Sequence, residues 1–156
     1  MLPGIKLFDL TDRVAIVTGG SKGLGEAMAE GLVSAGAAVV LASRHAAEAE
    51  ATAARIASEY GGKAIGVQAD DTKPAEGQAL VDRTLQEFGR IDILINSAGI
   101  NIRGPIGELT YEQFRQVQQI NVDGTWLCCQ AVIPHMQRAG QGRIINLAST
   151  RGVVGL

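Results

Sequence analysis

The chain has 156 residues, 46% hydrophobic and 19% charged, the size and make-up of one domain that can bury a core, neither disordered nor of low complexity. A net charge of −2 and a pI near 5.7 argue against nucleic acid or an anionic membrane as partner, since both call for clustered Lys and Arg. No apolar run approaches the ~20 residues that span a bilayer, and Lys6 and Asp9 near the start speak against a signal peptide.

In chain order, Val14-Ala15-Ile16-Val17 reads as a buried parallel strand that ends at Thr18-Gly19-Gly20, because both faces of such a strand are apolar. Residues 24–35 follow as a helix, with Leu24, Ala27, Met28, Gly31 and Leu32 predicted on one apolar face and Gly36 at its C-terminal cap. Val39-Val40-Leu41-Ala42 is a second strand, residues 46–60 an Ala/Glu-rich helix closed by Gly61-Gly62, and residues 64–69 a third strand. Pro74 opens a helix with Leu80, Val81, Thr84, Leu85 and Phe88 spaced for one face, and Gly89 ends it. A fourth strand covers 91–95, a Gly-rich loop with Pro105 covers 99–109, and a helical region with a break runs from Thr110 to Gln137. Ile144-Ile145-Asn146-Leu147 is the fifth strand. Alternating strands and helices predict right-handed crossovers and an α/β fold: a doubly wound, Rossmann-type parallel sheet with helices on both faces. Residues 1–156 form one domain in this reading. Ligands of such sheets bind at the C-terminal strand ends.

The strongest local signal is Thr18-Gly19-Gly20-Ser21-Lys22-Gly23-Leu24-Gly25, between a strand and a helix. Its glycines permit a tight turn and close approach by a pyrophosphate, and the helix N-terminus offers free N–H groups to phosphate. The spacing is T-G-x-x-x-G-x-G rather than G-x-G-x-x-G. At the end of the second strand stands Ser43-Arg44, where NAD-preferring enzymes usually place an acid for the ribose 2′-hydroxyl. Arg44, with Lys22 nearby, suits a 2′-phosphate instead. The alternative is that both are solvated surface cations.

Four motifs carry a resemblance. Thr18, Gly19, Gly23 and Gly25 match the glycine motif of the short-chain dehydrogenase/reductase family of the classical type. Asn96-Ser97-Ala98-Gly99 is similar to its N-N-A-G, with Ser97 in place of the second Asn. Asn121-Val122-Asp123-Gly124 resembles its N-V-x-G, and 142–149 resembles the strand that delivers the catalytic serine. The T-G-x-x-G-x-x-G of extended Rossmann enzymes does not fit. The resemblance implies cofactor contacts from Thr18, Gly19, Ser21, Lys22, Gly23, Leu24, Gly25, Ser43, Arg44, Asp70, Asn96, Ala98 and Gly99, with NADP(H) favoured over NAD(H). It implies that Asp70 accepts from the adenine amino group, although a turn-forming Asp would look the same. Thr18 and Asn96 would tie loops and strands together. Ser149, set between Gly142 and Gly152, would bind the substrate carbonyl or hydroxyl, and Asn121 would kink its helix and hold a water of the proton relay. Asp71 replaces the family's apolar residue without an evident reason.

The same resemblance places a catalytic Tyr-x-x-x-Lys pair and further C-terminal strands beyond Leu156, so the sheet is expected to be incomplete and the 156-residue chain inactive. The full-length protein is expected to be an NADP(H)-dependent oxidoreductase that interconverts a small-molecule alcohol and ketone, like the sugar-acid dehydrogenase and 3-oxoacyl-carrier reductase branches, and to form a homo-oligomer. The other reading is an inactive dinucleotide-binding or assembly protein. His45 and His135 lie at no metal or triad spacing and are expected at the surface, and no metal is expected. Cys128-Cys129 reads as helix packing, and adjacent cysteines make poor disulfide partners, which leaves a cytoplasmic setting as the expectation. Trp126 is expected in the core or an interface, and Tyr60 and Tyr111 away from the site.

Overall fold

The computed structural model describes residues 3–152; the ends of the predicted domain, 1–2 and 153–156, lie outside the described residues. Each apolar run forms a strand: β1 Val14–Thr18, β2 Ala38–Ser43, β3 Ala64–Gln68, β4 Ile93–Asn96 and β5 Arg143–Asn146. The helices between them are α1 Gly23–Ser34, α2 Ala46–Tyr60, α3 Pro74–Phe88, α4 Tyr111–Gln118 and α5 Thr125–Arg138. A 3-10 helix over Pro3–Phe8, which no periodicity announces, precedes β1. No helix among the described residues is long and apolar enough to cross a membrane.

The five strands make one parallel sheet in the order β3-β2-β1-β4-β5. This is the doubly wound, Rossmann-type arrangement expected of the β/α alternation. The chain crosses from β3 at one edge to β4 in the middle, so the order reverses between β1 and β4, where loops leaving the strands part and open a crevice. Alternation along the strands splits the core into two layers. Ala15, Val17, Val39, Leu41, Ile93 and Ile95 pack with Ala29, Val33, Ala53 and Ile56 of α1 and α2. Ile16, Val40, Ala42 and Leu94 pack with Leu80, Val81, Cys128, Val132 and Met136 of α3 and α5. Burial on both faces is what makes the strands read as unbroken apolar runs.

One expectation is corrected here and another narrowed. The buried side of α1 is Gly25, Ala29 and Val33, with Met28 and Leu32 only partly covered; Leu24 is 72% exposed, and Ala27 and Gly31 face solvent. Small residues win that face because α1 lies close against the glycine loop at its head. Trp126 is 59% exposed and lies outside the core.

At the edge of the sheet opposite the crevice, Asp92 fixes the start of β4. It is buried, and its carboxylate accepts from the backbone N–H of Val14 at 2.9 Å, from Arg90 Nε at 2.8 Å and from Arg13 at 3.3 Å. Burial pushes its pKa up, but the guanidinium of Arg90 and the Val14 N–H outweigh that and hold it below the usual carboxylate value.

Candidate cofactor cleft

The register of the sheet puts Thr18, Ala42, Asn96 and Asn146 side by side at the C-terminal strand ends. The glycine loop leaves β1 at this level, and Ser149 follows β5 three residues beyond Asn146, so the two lie at the same edge of the parallel sheet. Thr18 ties the two central loops together: its Oγ1 accepts from the backbone N–H groups of Ser97 and Ala98, both at 3.1 Å. Asn96 ties β4 to β5, donating from Nδ2 to Asn146 Oδ1 at 2.8 Å and reaching Cys129 Sγ at 3.4 Å.

The loop itself is shaped by glycine. Gly19 has a φ of +62°, and a Cβ there would stand 2.9 Å from Ala98 Cα. A Cβ on Gly25 would collide with the Gly19 carbonyl. Any side chain at either position would force the β1 loop away from β4 or lift α1 off the loop. At Gly23 the space where a side chain would stand is open, and the N-cap residue of α1, Lys22, makes no side-chain cap bond. The first N–H groups of α1 therefore meet no side chain from the helix cap, an arrangement suited to an anion.

These parts frame an open cleft that holds about 770 Å³ of empty space, its mouth and adjoining solvent included. Thr18, Gly19, Ser21 and Lys22 form one wall, Ser43, Arg44 and His45 the mouth beyond β2, and Ala98, Gly99 and Ile100 the opposite wall. Ala69, Asp71, Gly77, Leu80, Ile120 and Cys128 close the rest. Ser21 is buried, with Oγ 3.2 Å from Ser43 Oγ and 3.5 Å from Glu48 Oε2, and its carbonyl accepts from Thr52 Oγ1 at 2.9 Å. The loop is thus fastened to the start of α2. Of the residues picked out by sequence, Gly23, Leu24, Gly25, Asp70, Asn96, Asn121 and Ser149 do not line the cleft; the first three form the head of α1 beside it.

Asp70 is held in a local turn. Its Oδ1 accepts from Thr72 N at 3.1 Å and from Thr72 Oγ1 at 2.7 Å, and Lys73 Nζ stands 3.8 Å from Oδ2. Burial raises its pKa, and the Thr72 bonds more than reverse that. Its neighbour Asp71 lines the cleft instead, with its carboxyl against Gly124, where a Cβ would come within 3.0 Å of it. Burial and the charge of Asp70 push the Asp71 pKa up. Sequence reasoning left Asp71 unexplained and placed His45 only at the surface. The signal for His45 was its position one residue past Arg44.

Asn121 sits in a π-helical turn, Gln119–Gly124, that joins α4 to α5. Its Oδ1 accepts from Ile100 N and its Nδ2 donates to Ile100 O, both at 2.9 Å. This is the break expected in the long helix, and it fastens the helix to the loop that forms the cleft wall. Cys128 is buried and its thiol is pushed up to about 12, first by burial and then by the charge of Asp71. Among the described residues no group of three His, Cys, Asp or Glu is placed to hold a metal ion.

A parallel doubly wound sheet whose glycine loop, uncapped helix head and cleft meet at the strand-order reversal defines a Rossmann-type, nucleotide-binding class of protein. Within that class the chain belongs to the short-chain dehydrogenase family, whose model matches residues 13–156. It is 40% identical over 149 residues to the D-threitol dehydrogenase of Mycolicibacterium smegmatis, covering 96% of this chain and 57% of that protein. It is 39% identical over 147 residues to the 3-oxoacyl-[acyl-carrier-protein] reductase of Synechocystis sp., covering 94% of this chain and 59% of the relative. The crystal structure of a short-chain type dehydrogenase/reductase from Mycobacterium marinum superposes with a TM-score of 0.93 at 35% identity, covering 97% of this chain and 62% of that one. The chain therefore spans a little over half the length of these relatives.

Proposed function

We propose that this chain is the cofactor-binding part of an NADP(H)-dependent oxidoreductase that interconverts an alcohol and a ketone. The observation that carries the reading is the mouth of the cleft: Lys22 and Arg44 line it, and the end of β2 offers Ser43 where an acid would repel a 2′-phosphate. The residues fit a dinucleotide, because the glycine loop leaves open space at the head of α1. In this reading that helix end and the backbone of Ser21 and Gly23 receive the pyrophosphate, and Arg44 grips the 2′-phosphate bidentately. Bound nicotinamide supplies or accepts the hydride. Ser149 hydrogen-bonds the substrate oxygen, and Asn121, through its hold on Ile100, keeps the nicotinamide-side wall in place. The names of the relatives, a D-threitol dehydrogenase and a 3-oxoacyl-[acyl-carrier-protein] reductase, support an alcohol–ketone couple. Two unpaired cysteines suit a reducing, cytoplasmic setting.

No Tyr or Lys follows Ser149 in the sequence, so proton transfer is assigned to no residue of this chain and binding is the decisive readout. Titration of Arg44→Asp is expected to weaken NADP binding about 10- to 150-fold, the loss of one charge-assisted contact, and to spare or improve NAD binding. Equal NADP affinity in wild type and variant would overturn the cofactor assignment.

A further inference from the structure

Three nitrogen-bearing side chains, not two, stand at the mouth of the cleft. His45 lines it beside Arg44 and Lys22. Among the described residues no ion pair engages any of the three. Four other arginines are taken up by carboxylates: Arg13 and Arg90 by Asp92, Arg55 by three glutamates, Arg83 by Glu87. Asp70 and Asp71 feel the charge of Arg44 at a distance, without pairing to it.

The local backbone at residue 45 is held by its neighbours. His45 is the N-cap of α2 with extended backbone, φ −108° and ψ 101°. Its N–H donates to Ser43 Oγ at 3.2 Å, which folds residues 43–45 into a short hook. The carbonyl of Arg44 accepts from Gln68 Nε2 at 3.1 Å, so the hook is also held to the end of β3. The backbone N–H of His45 is spent in this hook, but the imidazole is not: no hydrogen bond among the described residues takes it up, and it makes no cap bond to α2. A neutral or charged imidazole always keeps at least one N–H donor. The head of α2, uncapped by a side chain, adds its dipole to the same spot.

We propose that His45 donates a hydrogen bond to the ribose 2′-phosphate and is, with Lys22 and Arg44, a determinant of the preference for the phosphorylated cofactor. This rests on the cofactor reading above. It assigns to His45 a phosphate contact that the spacing of the chain did not suggest. Glu48, one turn into α2, is the nearest acid on that element, and it faces Ser21 rather than the mouth.

The test uses calorimetric titration of the 156-residue chain with 2′,5′-ADP, 5′-AMP, NADP and NAD. Wild type is expected to prefer each 2′-phosphorylated ligand. His45→Ala is expected to cut that preference about 10-fold, the loss of one bond to a charged group, and to leave 5′-AMP and NAD binding unchanged. His45→Gln, which keeps an N–H donor, should recover part of it. It also serves as the second variant if melting shows that His45→Ala is unfolded. A preference retained in both variants overturns the role of His45 and leaves the cofactor reading intact. No preference in wild type overturns the cofactor reading itself, and the role of His45 with it.

Discussion

Asp71 and Asp92 are acids beside strand ends that the fold treats with opposite sign. Asp92 gains donors on folding, and its pKa is lowered; Asp71 is covered without gaining any side-chain donor, and its pKa is raised. A lowered folded pKa contributes stability above the unfolded value, near 4, that is lost as pH falls through the folded pKa; a raised one makes stability fall as pH rises from about 4 through the folded pKa. Asp92→Ala is therefore expected to cost about 1–3 kcal/mol at pH 7, chiefly from stranding the buried Val14 N–H, because its arginine partners are largely solvated. The cost should shrink in acid. Asp71→Asn is expected to raise the melting temperature at pH 7, with the gain vanishing below pH ~4. Thermal melts of both variants across pH check the signs, and a destabilised Asp71→Asn at pH 7 would contradict this account. At this scale the sequence announced Thr18 and Asn96 through their place in the motifs, although their bonds run to other strands and loops, to Ser97, Ala98 and Asn146. It could not announce Asp71, because what matters there is which of two neighbouring aspartates turns toward the cleft.

At the scale of elements, periodicity located all five strands and the helices between them, since each buried run has a length and flanking glycines of its own. It misjudged the face of α1. Hydrophobicity ranked Leu24 above Gly25, but contact with the Gly19 carbonyl leaves room only for glycine there. The π turn between α4 and α5 was visible only as an Asn where a helix has no use for one. In the structure, that Asn replaces the lost helical regularity with two bonds to Ile100. Asn121→Ala is expected to lower stability by roughly 1–3 kcal/mol, two solvent-accessible bonds' worth, and to speed hydrogen exchange at the Ile100 amide. Asn121→Asp keeps the acceptor for that amide and should protect it better than alanine does. Unchanged exchange at Ile100 in Asn121→Ala would show that the turn, not the side chain, holds the loop.

For the whole molecule, the sheet explains both where the cleft opens and where the surface is exposed to association. Among the described residues β5 is an edge strand, paired only with β4. Ile144 reaches the layer under α3 and α5, but Ile145 projects to the other face, beyond the cover of α1 and α2, and is 49% exposed. Leu147, just past the strand, is also exposed. An edge strand with bare backbone groups and apolar side chains is a template for pairing with another copy. The 156-residue chain is therefore expected to self-associate in a concentration-dependent way. A lysine at Ile145 should oppose this, since charged side chains on an edge disfavour strand pairing while the folded core loses little. Sedimentation velocity across a concentration series, on wild type and Ile145→Lys, measures it. A shift toward monomer in the variant supports association through β5. Identical association in both would move the contact elsewhere, with the exposed Phe114 and Trp126 of α4 and α5 the next surface to charge.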